Sequence, residues 1–334
     1  MKRYRVTLML ALAVLAGAGC GGDTAPESAD AALTIGVMPK LVGIGFFNAA
    51  QRGIEEAGRA LDVVVDYDGP TTGDVEQQSR LADTWVARRY DAIAIAPNDP
   101  DAIAPVLSRA RARDISVITW DADAQPESRD WFINQATAAS VAHALMDLMA
   151  EGAGEDANYI IITGSLTAAN QNIWMEEMEQ YRQERYPDMV NLTPTPIAPG
   201  EDQARATQMA ADALTTYTDL DGIFAITSVA LPGAAEAVRR AGAADTVFLT
   251  GLATPNDMRE YVKDGTVKRF VLWNPVDLGY LAVQAAVASA RGELTPGMTS
   301  FHAGRLGEVA VTGDEILLGL PTIFDADNID AFDF

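Results

Sequence analysis

Basic residues, cysteine and histidine are scarce in this chain, and each shortage removes a class of function. Lys and Arg total 24 against 47 Asp and Glu, a formal net charge of −23 at pH 7. Non-specific nucleic-acid binding needs cations to displace counterions from phosphates, and docking on an anionic membrane surface needs them as well. Neither partner suits this chain. The cysteine is Cys20 and the histidines are His143 and His302, which excludes a Cys/His zinc cluster and an internal disulfide. No G-x-G-x-x-G follows the first strand, no G-x-x-x-x-G-K-[ST] occurs, and Gly43 and Gly45 in KLVGIGFF form only part of a glycine pattern. A dinucleotide or P-loop site is therefore not expected. G-x-S-x-G is missing too, against a hydrolase, and abundant carboxylates alone do not make a glycosidase pair. No cofactor, no metal and no catalysis are expected.

The chain does carry an export signal. Lys2, Arg3 and Arg5 precede an apolar stretch from Val6 to Ala16, of signal-peptide length and short for a permanent membrane span. Gly17, Ala18 and Gly19 then lead to Cys20, resembling a bacterial lipoprotein cleavage site, although Gly17 stands where that pattern usually has Leu. We expect residues 1–20 to be a lipoprotein signal peptide with Cys20 lipidated, and residues 21–32 a flexible tether of small and polar residues. Attachment to a bacterial membrane would then run through the lipid alone.

The body is built differently. Apolar runs read as strands at Thr34–Met38, Val63–Tyr67, Ala92–Ala96, Ser116–Trp120, Tyr159–Thr163, Gly222–Ile226, Val247–Gly251 and Arg269–Trp273, with a weaker one near Val190–Thr193. Amphipathic helices are predicted over Phe47–Leu61, Val75–Arg89, Ala102–Arg113, Gln171–Tyr186, Gln203–Tyr217, Pro232–Ala241 and Asp277–Ala290. Continuous apolar strands alternating with helices imply parallel sheets covered on both faces and right-handed crossovers. At 334 residues, 49% of them hydrophobic, the chain has room for about two domains. The polar clusters that end the strands (Pro39-Lys40, Asp68-Gly69-Pro70, Pro97-Asn98-Asp99, Asp121-Ala122-Asp123, Gly164-Ser165) favour two doubly wound sheets over one. Ligands of such sheets bind outside the strands' carboxyl ends.

Several segments, taken together, carry a family resemblance: MPKLVGIGFFNAAQRGIEEAG, YDGPT, TWDAD, NQNIW, TGLATPNDM, GTVKRFVLWNPVDLGY and the terminal NIDAFDF. From about residue 33 onward the chain resembles the type I, ribose-binding-like periplasmic sugar receptors of ABC importers, and among them the L-rhamnose and autoinducer-2 receptors. The resemblance implies an α/β protein of two doubly wound parallel-sheet lobes with a ligand cleft between them, closing by a hinge and handing its ligand to a permease. It implies a monomer and chain crossings near residues 136, 275 and 300. Lobe 1 would be 33–136 and 276–299, and lobe 2 would be 137–275 and 300–334.

A sugar offers adjacent hydroxyls on a ring with apolar faces, so its site needs carboxylates, amides and aromatic surface. Asp121, directly after ITW, can accept from two neighbouring hydroxyls; it could instead cap a turn, as Asp123 is expected to do. Lys40 in MPKL matches the lysine that holds ligand in the autoinducer-2 receptors, whereas a lone loop lysine is ordinarily solvated. Phe46 and Phe47 could wall the ligand or pack beneath their helix. Asn170 reads as a helix N-cap, but the resemblance places it and Gln171 at ligand positions, with Asn170 where autoinducer-2 receptors usually carry Asp. Trp174 would stack on ligand or pack. Pro232 and Ala234 match contact positions in the autoinducer-2 group, while VALPGAA is also an ordinary helix start. Trp273 and Asn274 in WNPVD end the last strand of the run, and Asn274 again replaces an Asp of the autoinducer-2 pattern. Those two asparagines favour rhamnose or a similar monosaccharide, with autoinducer-2 as the alternative.

Overall fold

The computed structural model describes residues 32–334. The expected signal peptide, Cys20 and nearly all of the expected tether lie outside the described residues. In chain order the elements are β1 (Thr34–Met38), α1 (Gly45–Leu61), β2 (Val64–Tyr67), α2 (Val75–Arg88), β3 (Ala92–Ile95), α3 (Pro100–Arg111), β4 (Ser116–Trp120) and β5 (Trp131–Asn134). Then come α4 (Ala138–Ala153), β6 (Asn158–Ile162), α5 (Ala169–Arg185), β7 (Val190–Asn191), α6 (Gln203–Thr216), β8 (Gly222–Ala225), α7 (Ala230–Ala241), β9 (Phe248–Gly251), α8 (Pro255–Lys263) and β10 (Phe270–Leu272). The chain ends with α9 (Pro275–Ala290), β11 (Ser300–His302), β12 (Glu308–Thr312), β13 (Glu315–Leu317) and β14 (Thr322–Phe324).

Two sheets share one plan. The larger runs β11-β12-β13-β5-β4-β3-β1-β2, and the smaller runs β7-β6-β8-β9. A bridge between Leu252 and Val271 carries the smaller sheet on to β10, which pairs antiparallel with β14. Within each, the second strand in sequence lies outside the first and the third lies on its other side. Each sheet therefore has a switch point, β1/β3 and β6/β8, at whose carboxyl end a crevice opens.

The chain crosses between the sheets after β5, after β10 and after β13. This corrects the assignment of 300–334 to the second lobe. Strands β11, β12 and β13 extend the larger sheet, β13 pairing parallel with β5 through Ile316 and Ile133, and only β14 joins the smaller sheet. The third crossing thus lies between Leu317 and Thr322 rather than near residue 300. These strands are short and alternate exposed and buried positions, so they offer no apolar run to read.

Burial follows the helix periods. On α1, Phe46, Phe47, Ala49, Ala50, Gly53, Ile54, Ala57 and Gly58 form one buried stripe. Helix α9 is buried almost all round, because it lies between the larger sheet and α1. Their closest approach is at glycine: a Cβ on Gly53 would collide with the Val276 carbonyl, and one on Gly279 with the Ala50 carbonyl. A single core connects both sheets, and a second lies on the other face of the larger sheet, under α2 and α3.

Candidate functional site

The carboxyl ends of the strands converge on one small cavity of about 50 Å³. From the larger sheet come Lys40, past β1, and Asp121, past β4; Phe46 and Phe47 come from the first turn of α1. From the smaller sheet come Asn170, Gln171 and Trp174 of α5, Thr227 and Ser228 past β8, and Trp273 past β10.

Lys40 is held from behind. Asn98 donates from Nδ2 to the Lys40 carbonyl at 2.7 Å, and the buried Gln78 donates to the carbonyls of Pro39 and Ala96 while accepting from the Asn98 N–H. The loops past β1 and β3 are thereby tied together. Lys40 Nζ then reaches Asp121 Oδ2 at 3.3 Å and donates to Asn170 Oδ1 at 2.9 Å. Both charged side chains are nearly inaccessible to solvent, at 5% and 6% exposure. Asp121 also has φ of 63°, in the left-handed region, a conformation that Asp tolerates better than most residues. Burial pushes its carboxyl above the usual range, against the charge and hydrogen bond of Lys40.

Asn170 is not the N-cap that its position suggested. Helix α5 begins two residues earlier than predicted, at Ala169, and its N-cap Ala168 has no side-chain cap. Asn170 instead donates from Nδ2 to the Asp121 carbonyl at 3.2 Å, so it meets both the Lys40 side chain and the Asp121 backbone of the facing half. Gln171 is oriented by its carbonyl, which accepts from Thr163 Oγ1 at 2.6 Å and the Gly164 N–H at 2.8 Å. Its amide nitrogen therefore points towards Glu201, 3.5 Å from Oε1.

Glu201 was not anticipated from the sequence. It lies in the loop before α6, half-buried, and lines the cavity. Burial raises its pKa; the Lys40 charge and the Gln171 hydrogen bond oppose the shift, and the Asp121 charge adds to it. The available signal was the loop's place beyond a weak strand in the smaller sheet, where crevice residues gather. Ile44, Ile226, Thr227, Ser228, Leu252 and Leu272 complete the lining.

Aromatic rings form the apolar wall. Phe46 meets Phe47 and Trp273 edge-on at 5.1 and 6.1 Å, Phe47 meets Trp120 edge-on at 5.7 Å, and Trp174 lies 5.7 Å from Trp273. Phe46 and Phe47 are buried in the core and also line the cavity. Trp273 Nε1 is buried with no hydrogen-bond partner.

Three expected residues are not brought to this cavity. Pro232 and Ala234 lie buried inside α7, one to two turns beyond the lining residues Thr227 and Ser228. Asn274 is the N-cap of α9, accepting from the N–H groups of Val276 and Asp277, which uses its side-chain oxygen within the helix. Asp123 also lies away, accepting from Thr119 and paired with Arg129. A wider groove of about 1030 Å³ opens beneath α5 beside β7, but its charged pair Glu179 and Arg182 are bonded to each other. The strand-end groups converge on the smaller cavity.

Comparison with known proteins agrees with this architecture. Residues 35–294 match the family model of the periplasmic binding protein domain. The ribose import binding protein of Salmonella typhimurium is 25% identical over 291 residues, 85% of this chain and 94% of that protein. Among solved structures, LsrB from Clostridium saccharobutylicum in complex with AI-2 superposes with a TM-score of 0.86 at 27% identity, covering 90% of this chain and 100% of that one. An ABC transporter solute-binding protein from Clostridium phytofermentas with bound L-rhamnose gives 0.84 at 27% identity, covering 90% and 98%.

Proposed function

The chain belongs to the periplasmic binding protein family, the sugar-binding receptors of ABC importers, and from that premise we propose that it captures L-rhamnose or a similar monosaccharide outside the cytoplasmic membrane. The observation that carries this reading is the meeting of Lys40 and Asp121 from one half with Asn170 and Gln171 from the other, beside the rings of Phe46, Phe47, Trp174 and Trp273. Carboxylate, ammonium and amides suit paired hydroxyls, and the rings suit a sugar's C–H face.

The mechanism is hinge closure. A ligand touching both halves favours the state in which it makes both sets of contacts. The two lobes would be those built on the larger and smaller sheets, and their closed faces would dock on a permease as a monomer. An inverted or missing hydroxyl leaves a buried group unpaired, at about 1–3 kcal/mol, which makes such a site selective. We further propose that Cys20 is lipidated and anchors the exported protein.

Autoinducer-2 is the second reading, favoured by the placement of Lys40 beside Asp121 inside the cavity and by the likeness to LsrB with AI-2. Calorimetric titration separates the two. Saturable single-site heat with L-rhamnose, lost in Asp121→Ala, supports the monosaccharide reading. Heat with enzymatically made autoinducer-2 and none with rhamnose transfers the function to signal uptake. Silence with both removes both ligands.

A further inference from the structure

The cavity contains two carboxylates and one cation. Lys40 is the single cationic residue of its lining among the described residues, and it is already committed, paired with Asp121 and bonded to Asn170. Glu201 has no comparable partner. Its Oε1 receives only the long 3.5 Å contact from Gln171, and no donor among the described residues reaches Oε2. Glu201 lines the cavity, so its second oxygen is open to accept from a ligand that enters there.

The surrounding chain reserves room for this group. A Cβ on Gly164 would collide with Glu201 Oε1 and come within 3.1 Å of Gln171 Nε2. Thr163 and the Gly164 N–H fix the Gln171 carbonyl, so the amide that faces Glu201 cannot turn away without losing two hydrogen bonds. Glu201 belongs to the half built on the smaller sheet, while Asp121 belongs to the other. Each half thus contributes one carboxylate to the cavity.

Resting on the reading that this cavity takes a sugar, we propose that Glu201 is the carboxylate with which the smaller-sheet half reads the ligand, and that it restricts the cavity to uncharged, hydroxyl-rich molecules over the same molecules carrying a phosphate. A hydroxyl donated to Oε2 would form a charge-assisted hydrogen bond. A phosphate brought to the same place adds like charge to a cavity whose one cation is already paired, in surroundings where unpaired charge is strongly disfavoured.

The test is calorimetric titration of the full chain and of the variants Glu201→Gln, Gly164→Ala, Glu201→Ala and Glu201→Ala/Gly164→Ala, with L-rhamnose, L-rhamnose 1-phosphate and a set of neutral pentoses and hexoses. Circular dichroism checks that each variant is folded. The expected result is about 10- to 100-fold weaker binding of the neutral sugar by Glu201→Gln, the range for a hydrogen bond to a charged group. Gly164→Ala should show a similar loss, because its methyl displaces the Glu201 carboxyl, and the wild type should give no saturable heat with the phosphate. In the Glu201→Ala background, Gly164→Ala should add little. Unchanged rhamnose affinity in Glu201→Gln overturns the proposal and leaves the rhamnose reading standing. Silence with rhamnose, but binding of another neutral sugar that Glu201→Gln weakens, overturns the rhamnose reading and sustains the proposal. Wild-type binding of the phosphate as tight as that of the neutral sugar, or no binding of any neutral sugar, overturns the proposal.

Discussion

Lys40 and Asn170 lie 130 positions apart in sequence and meet through a 2.9 Å hydrogen bond between Nζ and Oδ1, deep between the two halves of the molecule. The same nitrogen pairs with Asp121 of its own half, so one ammonium group serves both as counter-ion and as link across the cleft.

Removing that ammonium should be costly. Lys40→Met leaves the Asp121 carboxylate buried without its partner, and breaking a buried pair from one side costs about 3–5 kcal/mol. Urea denaturation at neutral pH should show that loss, and Lys40→Met/Asp121→Asn should recover much of it. A double variant no more stable than Lys40→Met would count against the pairing.

Asn274 offers the converse case. Its side chain caps α9, so Asn274→Ala should lose about 1 kcal/mol of stability while ligand affinity stays within about twofold, since Asn274 does not line the cavity. A tenfold loss in affinity with unchanged thermal stability would instead return this residue to the ligand site.

Trp273 combines a cavity-facing ring with an unpartnered indole N–H. Trp273→Phe keeps an aromatic wall and removes the donor. It should leave the melting temperature unchanged or higher and weaken ligand binding about 3- to 10-fold, the worth of one neutral hydrogen bond. Equal affinity would show that the ligand does not accept from this nitrogen.

Glu201 should make stability depend on pH. Burial raises its pKa, so the folded state keeps its proton to higher pH than the unfolded chain does, and stability falls as pH rises from the ordinary glutamate range through the folded pKa. Glu201→Gln removes that loss. The variant should melt above the wild type at pH 7, with the gap closing as pH drops to about 3, where the carboxyl is protonated in both states. A gap that is constant with pH would contradict the burial of this carboxyl.

The contact between α1 and α9 has no slack. Gly53→Ala or Gly279→Ala would drive a methyl into backbone carbonyls rather than into movable side chains, so either should cost about 3 kcal/mol or more, the upper end for overpacking. Guanidinium denaturation gives the measure, and a loss below 1 kcal/mol would mean that the helices separate freely.

Local pattern was enough for the central strands and the helices. Runs such as Ile93–Ile95 and Ile160–Ile162 are buried on both faces and read as parallel strands without any knowledge of their neighbours. Asp121, Lys40 and Gln171 could be singled out as candidates because strand ends are where such sheets bind ligands, and because the surrounding motifs resemble a known group of receptors. Strands without a continuous apolar run were not legible. Trp131–Asn134 alternates buried and partly exposed residues, and β11 to β14 are three to five residues long, so their pairing depends on neighbours far away in the chain.

The sequence by itself determined the repeated βα plan, the acidic charge and the scarcity of metal ligands, because these depend on composition and on periods of two and 3.6 residues. Tertiary structure alone decided which polar groups share the cavity. Asn170 and Asn274 look alike at a helix start, yet one faces a buried ammonium across the cleft and the other caps its own helix. Glu201 lies beside Asp202 in a loop, and only the packing of Gly164 and Gln171 beside it brings its carboxyl to the cavity. A side chain's role follows from the partners and the dielectric around it, and both are set by contacts that no local stretch of chain contains.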